Sequence, residues 1–209
     1  MSAPLPTHQP GAMAPDPQAA PAHQFERFVS GEQVFKGRLL DVRRDTVAMP
    51  DGAHAVREYV VHPGAVVVVP VLDDGRLVME RQYRYPVGRV MLEFPAGKID
   101  AGEPALQCAQ RELAEETGYR ARQWALAGVL HNAMAYSTEV IHIVFARELT
   151  EGQRTLDDGE LIDIVPMSEA ELDAAAARGD LTDAKTLISL MWLQKWRSGA
   201  WPLQWFTAP

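Results

Sequence analysis

The chain has 209 residues, a hydrophobic content of 47% and a formal net charge of −8, which is enough apolar material for one sizeable core but too little for two full domains. The negative charge argues against binding to a nucleic-acid backbone, because such proteins carry a basic surface. The single cysteine excludes an internal disulfide. The chain has neither an apolar run of ~18 residues that could span a membrane nor a basic and apolar N-terminal secretory signal. We therefore expect a cytoplasmic protein with no nucleic-acid or membrane partner.

Residues 1–24 are predicted to form a disordered tail that is rich in proline and alanine. Prolines alternate there with Ala, Gln and His, and such a composition buries too little apolar surface to offset the entropy lost on ordering. Two folded parts are expected to follow this tail. They are a small β subdomain over residues 25–62 and a main domain over residues 63–209.

Residues 25–62 contain three extended runs, at 34–42, 46–49 and 55–61, with the turn Pro50-Asp51-Gly52 before the last one. This pattern predicts a small antiparallel β meander. A three-stranded piece is marginally stable alone, so it is expected to pack on the main domain or on a second subunit. We favour the second subunit.

The main domain opens with a β-branched run at residues 65–72, which is typical of a strand buried on both faces. The turn Asp73-Asp74-Gly75 leads into a return strand at residues 76–83. Further strands are predicted at residues 90–94, 124–130, 139–146 and 161–165.

The C-terminal part of the main domain is predicted to be helical. Ser168 and Glu171 have the spacing of a capping box, and a second helix is expected at residues 183–197, with its apolar residues covering the sheet. Those residues are Leu187, Ile188, Met191 and Trp192. The aromatic residues Trp201, Trp205 and Phe206 are expected to dock on the body of the domain, with a subunit interface as the alternative.

Residues 97–119 concentrate acidic side chains on one predicted helix. Glu112, Glu115 and Glu116 are three and four residues apart, so they converge within about 100° of arc, while Leu106, Ala109 and Leu113 seat the helix on the sheet. Like charges at this spacing destabilise a helix, which makes a cation the natural partner. Mg²⁺ fits best and Mn²⁺ is possible, because both prefer oxygen ligands. Cys108 is expected to be a packing residue.

The spacing of these residues resembles the signature of the Nudix hydrolases. An acidic, solvated helix face with a surface ion pair is the alternative interpretation of the same residues. Tyr119 is a small departure, because the family more often has an aliphatic residue there. The matching positions are Gly97, Glu103, Arg111, Glu112, Leu113, Glu115, Glu116, Gly118 and Tyr119.

Residues 34–193 also look like the ADP-ribose pyrophosphatase branch of that superfamily. This resemblance is carried by Arg57-Glu58, His62-Pro63-Gly64-Ala65, Gln82-Tyr83-Arg84 and residues 93–98. It implies a Nudix-type α/β/α sandwich with a mixed sheet, the same fold that helices on both sides of a mixed sheet predict. It also implies a homodimer that forms through the N-terminal strands.

The resemblance implies a metal-dependent active site. Glu112, Glu116 and the backbone carbonyl of Ala96 would be the main metal ligands, and Glu115 a further one. Arg111 and Glu103 would orient these carboxylates. The general base would come from an acidic loop that corresponds here to residues 156–160, in which Glu160 is the first choice and Asp158 the second.

Substrate recognition is expected to use arginines and their neighbours. The forked donors of Arg57 and Arg84 suit phosphate or ribose oxygens, and Glu93 and Glu139 are candidate acceptors, with ordinary surface ion pairs as the alternative. Glu58 and Gln82 accompany the arginines in the resembling segments. One departure from the branch is Ala133-Met134-Ala135, which stands where Ser-Pro-Gly is common.

The activity implied is hydrolysis of the diphosphate bond of ADP-ribose, to AMP and ribose 5-phosphate, or of a similar nucleoside-diphosphate sugar. Two alternatives remain open at this stage. One is a Nudix hydrolase that acts on GDP-mannose, a dinucleotide or an oxidised nucleotide. The other is a non-catalytic sensor of nucleotide sugars.

Overall fold

The computed structural model describes residues 21–208, which divide into two compact units. One unit holds residues 21–63 and the loop Ala133–Glu139, and the other holds Gly64–Asn132 and the chain from Val140 onward. Most of the predicted tail lies outside the described residues. Within residues 21–208, no helix is long and apolar enough to cross a membrane.

The first unit is an antiparallel sheet in the order β1-β2-β3, as the meander predicts. Its strands are β1 (Arg27–Lys36), β2 (Asp41–Ala48) and β3 (His54–Val60). The predicted boundaries of the first run are wrong, because the chain reverses at Gly37, whose N–H donates to the Leu40 carbonyl at 2.8 Å. Leu39 therefore lies in a turn, and Val42 belongs to β2 opposite Phe35.

Polar contacts and the loop Ala133–Glu139 complete this unit. Arg43, Gln33 and Lys36 donate to the Asp41 carboxylate and hold its pKa well below the usual range. Val60 makes two hydrogen bonds to this loop. Its N–H donates to the Tyr136 carbonyl, and its carbonyl accepts from the Thr138 N–H. Every residue of β1 is exposed.

The larger unit is built on a mixed sheet in the order β10-β5-β4-β9-β8-β11, with β6 paired to β5 and β7 paired to β4. β4 and β9 run parallel, and the other paired strands run antiparallel. The strands are β4 (Ala65–Val71), β5 (Leu77–Arg84), β6 (Arg89–Glu93), β7 (Ala96–Lys98), β8 (Tyr119–Leu130), β9 (Ile141–Glu151), β10 (Ile162–Met167) and β11 (Phe206–Thr207).

Strand β4 is buried over its whole length and contributes side chains to two hydrophobic cores. Val67 and Val69 pack in one core with α2 (Glu169–Arg178) and α3 (Ala184–Arg197). Val66 and Val68 pack in the other core with α1 (Ala105–Glu112). Because successive side chains of a strand point to opposite faces, helices cover both sides of the sheet, and the predicted α/β/α arrangement is confirmed.

The predicted inner face of α3 is wrong for three of its four residues, and the fourth, Trp192, packs against the core. Leu187, Ile188 and Met191 are 36–37% exposed, and the face that packs on the sheet is formed by Thr186, Ser189, Leu190 and Leu193. The helical period allows either stripe. In the observed one the buried Thr186 accepts a hydrogen bond from the Phe94 N–H at 3.0 Å, while the buried Ser189 Oγ has no hydrogen-bond partner. Hydrophobicity alone could not identify that contact.

The ends of the C-terminal helices agree with the sequence. Ser168 and Glu171 form the predicted capping box of α2, and Asp183 caps α3 by accepting from the Thr186 N–H. The C-terminal residues dock as expected, since Phe206 pairs with Trp124 in the sheet. The Trp205 ring lies 4.0 Å from the Arg147 guanidinium.

Candidate active site

The candidate site is built on the signature helix, which we define as residues 105–117. It begins as α1 and ends in a π-helical turn, Leu113–Thr117, closed by Gly118 at a positive φ of 78°. A Cβ on Gly118 would lie 2.9 Å from the Gly152 carbonyl oxygen, so backbone conformation and space both require glycine. Cys108 and Ala109 are buried against the sheet, which confirms the packing role expected of the thiol. Short π-helical turns are frequent at functional sites.

The three glutamates of the helix have different surroundings, although a regular α-helix predicts a shared face. Glu116 is only 5% exposed and accepts a hydrogen bond from the Ala96 N–H at 3.0 Å. Glu112 is more covered than Glu115. The π-helical turn changes the residue spacing after Glu112, so the three carboxylates do not have the equivalent positions that the α-helical period predicts.

Arg111 gathers the carboxylates at the outer side of the helix. Its Nη1 donates to Glu112 Oε1 at 2.7 Å and to Glu115 Oε2 at 3.1 Å, and its Nε and Nη2 bond both oxygens of Glu103 at 3.0 and 2.9 Å. The predicted pairing of Arg111 with Glu103 is thus present. Arg111 lowers the pKa of Glu103, so this pair stays ionised.

Strand β7 brings the backbone against the signature helix. Gly97 and Ala96 pair with Val66 and Val67 of β4, and a Cβ on Gly97 would lie 1.9 Å from the Glu112 carboxylate carbon. Only glycine therefore lets this carboxylate lie against the loop. The central sheet positions the Ala96 carbonyl and the helix together.

Glu80 is a site residue that the sequence analysis missed. It lies on β5, is 4% exposed, and has one carboxylate oxygen, Oε1, without a hydrogen-bond partner. Burial and the neighbouring Glu93 raise the pKa of Glu80 to about 8. A charged residue directly after the apolar run Leu77-Val78-Met79 was the available signal, because an ionised side chain at a buried strand position is rare without a partner.

Glu116 shares the acidic environment of Glu80. Burial raises the pKa of Glu116 to about 10, and the charges of Glu80, Glu112 and Glu160 contribute to the increase. Burial and the charges of Glu115 and Glu160 raise the pKa of Glu112 too, against the effect of Arg111. The protein thus brings several carboxyl groups close together, and we call its two buried members, Glu80 and Glu116, the acidic pair.

The residues of this region fit a hard divalent cation. Within residues 21–208, no three His, Cys, Asp or Glu side chains are arranged as a metal-holding group, and Arg111 is bonded to Glu112 and Glu115. The unsatisfied Glu80 oxygen and the raised pKa values of the acidic pair show that positive charge is lacking here. Buried carboxylates without a cation are costly, and an all-oxygen donor set suits Mg²⁺ or Mn²⁺.

The predicted substrate residues Arg84 and Glu93 form an ion pair in which Glu93 is buried and Arg84 is partly exposed. Arg84 Nε and Nη2 donate to the two oxygens of Glu93 at 2.7 and 2.9 Å. Lys185 of α3, which the sequence analysis also missed, bonds the same carboxylate. Burial acts to raise the pKa of Glu93, but Arg84 and Lys185 outweigh it and leave this pKa lowered. Gln82 is half-buried between Glu80 and Arg84 along β5.

Three other predicted substrate residues belong to the first unit and have local partners there. Arg57 bonds both oxygens of Glu26 at 2.9 and 2.6 Å, Glu58 accepts from Arg44 at 2.8 Å, and Glu139 lies 3.5 Å from His62 Nε2. The role of Arg57, Glu58 and Glu139 in binding stays a prediction.

The acidic turn at residues 157–160 contains the predicted base. Glu160 donates its N–H to the Asp157 carbonyl at 3.1 Å and accepts from the Asp157 N–H at 3.3 Å. Its charge is among those that raise the pKa of Glu112 and of Glu116. Glu160 therefore lies within electrostatic range of the signature helix.

Comparison with known proteins places both units in families. Residues 61–187 match the family model of the NUDIX domain, and residues 26–60 match that of the nucleoside diphosphate sugar hydrolase N-terminal domain. The chain is 34% identical to the ADP-ribose pyrophosphatase of Bacillus subtilis, over 81% of this chain and 92% of that protein. It is 36% identical to the ADP-ribose pyrophosphatase of Mycobacterium tuberculosis, over 81% and 83%. A crystal structure of an ADP compounds hydrolase matches with a TM-score of 0.78 and 27% identity, over 86% of this chain and 98% of that one.

Proposed function

The chain belongs to the Nudix family of hydrolases, and from that membership we propose that it cleaves the diphosphate bond of ADP-ribose, or of a similar nucleoside-diphosphate sugar. The products from ADP-ribose would be AMP and ribose 5-phosphate. The observation that carries the proposal is the charge of the site, where Glu112, Glu115 and Glu116 lie on one helix and Glu80 adds a fourth carboxylate beside them. The names of the two pyrophosphatase relatives support the choice of substrate.

Glu112, Glu115, Glu116 and the Ala96 carbonyl would hold the divalent cation, for which we propose Mg²⁺, with Mn²⁺ as a possible substitute. When bound, the cation would supply neutralisation of the diphosphate charge and a lowered pKa for the attacking water. The chain's own contribution is to hold these oxygens in place. Gly97 lets Glu112 approach the loop, and Arg111 orients Glu112 from the side through its bonds to Glu103.

Glu160 is our candidate for the general base. It would accept the proton of the attacking water at its carboxylate, as a base of this kind must do within hydrogen-bond reach of the water. Its electrostatic influence on Glu112 and Glu116 supports this role. Asp158, which lies in the same turn, is the second candidate.

Arg84 is our candidate for binding the phosphate or ribose oxygens of the substrate. Its side chain is 42% exposed although it is anchored at Glu93, so a ligand can reach a guanidinium whose orientation is already set. We assign Arg57, Glu58, Gln82 and Glu139 to the same task. Glu93 would act by holding Arg84.

We also propose that the protein is a cytoplasmic homodimer that forms through the N-terminal strands. The exposed strand β1 supports this proposal, because it presents the apolar side chains of Phe28, Val34 and Phe35 to solvent. Exposed apolar surface of this kind marks interaction sites. Light scattering on the purified protein would test it, and a monomer at micromolar concentration would contradict it.

Product analysis tests the proposed activity. The protein is incubated with Mg²⁺ and ADP-ribose, GDP-mannose, other nucleotide sugars, dinucleotides or nucleoside triphosphates, in ¹⁸O-labelled water. Release of AMP and ribose 5-phosphate from ADP-ribose, faster than turnover of the other compounds, is expected, and the label identifies the phosphorus attacked. Preference for another diphosphate would reject the ADP-ribose assignment, and binding without turnover of any compound would favour a sensor.

A further inference from the structure

Lys185 occupies a position that ordinary helix chemistry disfavours. It is the second residue of α3, where the positive end of the helix dipole repels a cation. Its side chain is only 14% exposed, although lysine seldom lies inside a protein without a paired charge. A residue that breaks local rules in this way is expected to serve a function.

The contacts of Lys185 show what it holds. Its Nζ bonds Glu93 and also Asp183, whose Oδ2 lies at 3.0 Å. Glu93 in turn anchors Arg84 through two hydrogen bonds. Lys185, Glu93 and Arg84 thus form a chain of charges, which we call the clamp, from the first turn of α3 to strand β5.

A second contact joins the first turn of α3 to the segment that follows Glu93. The Phe94 N–H donates to the Thr186 hydroxyl at 3.0 Å, and both residues are buried. Phe94 follows Glu93 directly and lies two residues before Ala96. The first turn of α3 therefore holds the segment that carries both the clamp and the proposed carbonyl ligand.

We propose that Lys185 is a positioning residue for substrate binding, which acts through Glu93 to orient Arg84. The inference rests on the proposed function, in which Arg84 binds phosphate or ribose oxygens. Lys185 itself does not touch the substrate. When Lys185 is removed, Glu93 loses one of its two cations. Its side chain can then change rotamer and take Arg84 with it.

The test is the Lys185→Met variant, which removes the charge and keeps much of the length of the side chain. Its KM for ADP-ribose is expected to rise about tenfold, with kcat changed much less, because the carboxylates of the signature helix are untouched. Lys185→Arg should restore most of the binding. Lys195→Met is the matched control, because Lys195 is an exposed lysine on the same helix, and its KM should equal that of the wild type.

A double variant separates positioning from a general structural effect. If Lys185 acts through Arg84, then Lys185→Met should add nothing to the KM of Arg84→Lys, because the two changes remove one interaction. Multiplicative effects would overturn the proposal, and so would a KM of Lys185→Met within twofold of the wild type. Lys185→Gln replaces Lys185→Met if that variant does not fold. If neither folds, Lys185 is a folding residue and the proposal is wrong.

Calorimetric binding of ADP-ribose distinguishes this inference from the proposed function. A wild type that binds ADP-ribose without hydrolysing it would reject the function, while weaker binding by Lys185→Met would still support the positioning role. If the wild type hydrolyses ADP-ribose and Lys185→Met binds and hydrolyses it equally well, only the positioning role is rejected. A wild type that neither binds nor hydrolyses ADP-ribose would overturn both.

Discussion

The acidic pair and the clamp bury glutamates to nearly the same extent, with Glu116 at 5% exposure and Glu80 and Glu93 at 4%. Their protonation behaviour is opposite. The pKa of Glu116 rises to about 10 and that of Glu80 to about 8, whereas the pKa of Glu93 falls below its ordinary value. Glu80 and Glu93 even stand opposite each other on paired strands.

The difference lies in what faces each carboxylate. Glu93 is held by two cations of the protein, Arg84 and Lys185, which outweigh the cost of burial. Glu116 accepts from one backbone N–H and is surrounded by other carboxylates. Burial of a charge is stable only when that charge is compensated. The clamp is therefore complete within the chain, while the acidic pair is completed only by a cation or by protons.

The largest expected effect is on catalysis, from Glu116→Gln. Losing a residue that merely supports metal ligands costs about 10- to 100-fold, so loss of a proposed ligand should reduce kcat by more than about 100-fold. The measurement is steady-state hydrolysis of ADP-ribose with Mg²⁺. Glu151→Gln, a change at an exposed carboxylate of β9, is the control, and activity of Glu116→Gln near the wild-type level would remove Glu116 from the site.

Gly97→Ala tests the geometry of the acidic site without changing any charge. The added Cβ would overlap the Glu112 carboxylate, which must move by about 1 Å, and a displacement of that size can cost about 100-fold in rate. We expect a matching loss of kcat in the same assay. Gly102→Ala is the control for an added methyl group in the turn that follows β7, because a Cβ there meets no atom within 4 Å, although its positive φ of 80° will lower the stability slightly.

The same Glu-to-Gln change should have opposite effects on stability in the two regions. Without metal at pH 8, Glu116→Gln should increase the free energy of unfolding by about 1 kcal/mol or more, because Glu116 must take up a proton on folding at this pH and glutamine need not. Glu93→Gln should decrease it by about 2 kcal/mol, because two cations lose their partner and Arg84 is partly screened by solvent. Urea unfolding in EDTA measures both. Equal signs for the two variants would contradict the contrast between the acidic pair and the clamp.

The pH dependence of the metal-free protein tests the same comparison through its slope. Raised pKa values mean that folded Glu80 and Glu116 keep protons that the unfolded chain releases above its ordinary pKa of 4.5. The free energy of unfolding should therefore fall as the pH rises from about 5 to 8, by at most about 1.4 kcal/mol per pH unit for each proton.

The clamp predicts the reverse behaviour in a different pH range. Because the pKa of Glu93 is lowered, its contribution to stability is present above the unfolded pKa and is lost only as the pH falls through its folded value. Glu93→Gln also removes one of the charges that raise the pKa of Glu80, so it should reduce the slope between pH 5 and 8 in part, and Glu116→Gln should reduce it more. Unfolding curves at three pH values in EDTA would check this, and a wild-type stability that rises with pH in this range would contradict it.

The sequence by itself determined the features that depend on local spacing. The period of β4, the capping box at Ser168 and the signature from Gly97 to Tyr119 each involve residues close in the chain, and their geometry follows from the helix and strand repeats. These patterns were sufficient for the mixed sheet, the family and the carboxylates of the signature helix. They were insufficient for the strand bounds near Gly37, where a turn without a strong signal was missed.

Only the tertiary structure decided which distant residues complete the site. Glu80 of β5 comes close enough to Glu116 of the signature helix to raise its pKa, and Lys185 bonds Glu93 across 92 positions of the chain. The inner face of α3 was decided in the same way, by tertiary contacts that include the hydrogen bond between Thr186 and Phe94. Such pairings depend on strand register and helix placement, which are fixed by the sum of many long-range contacts and leave no periodic pattern in the sequence.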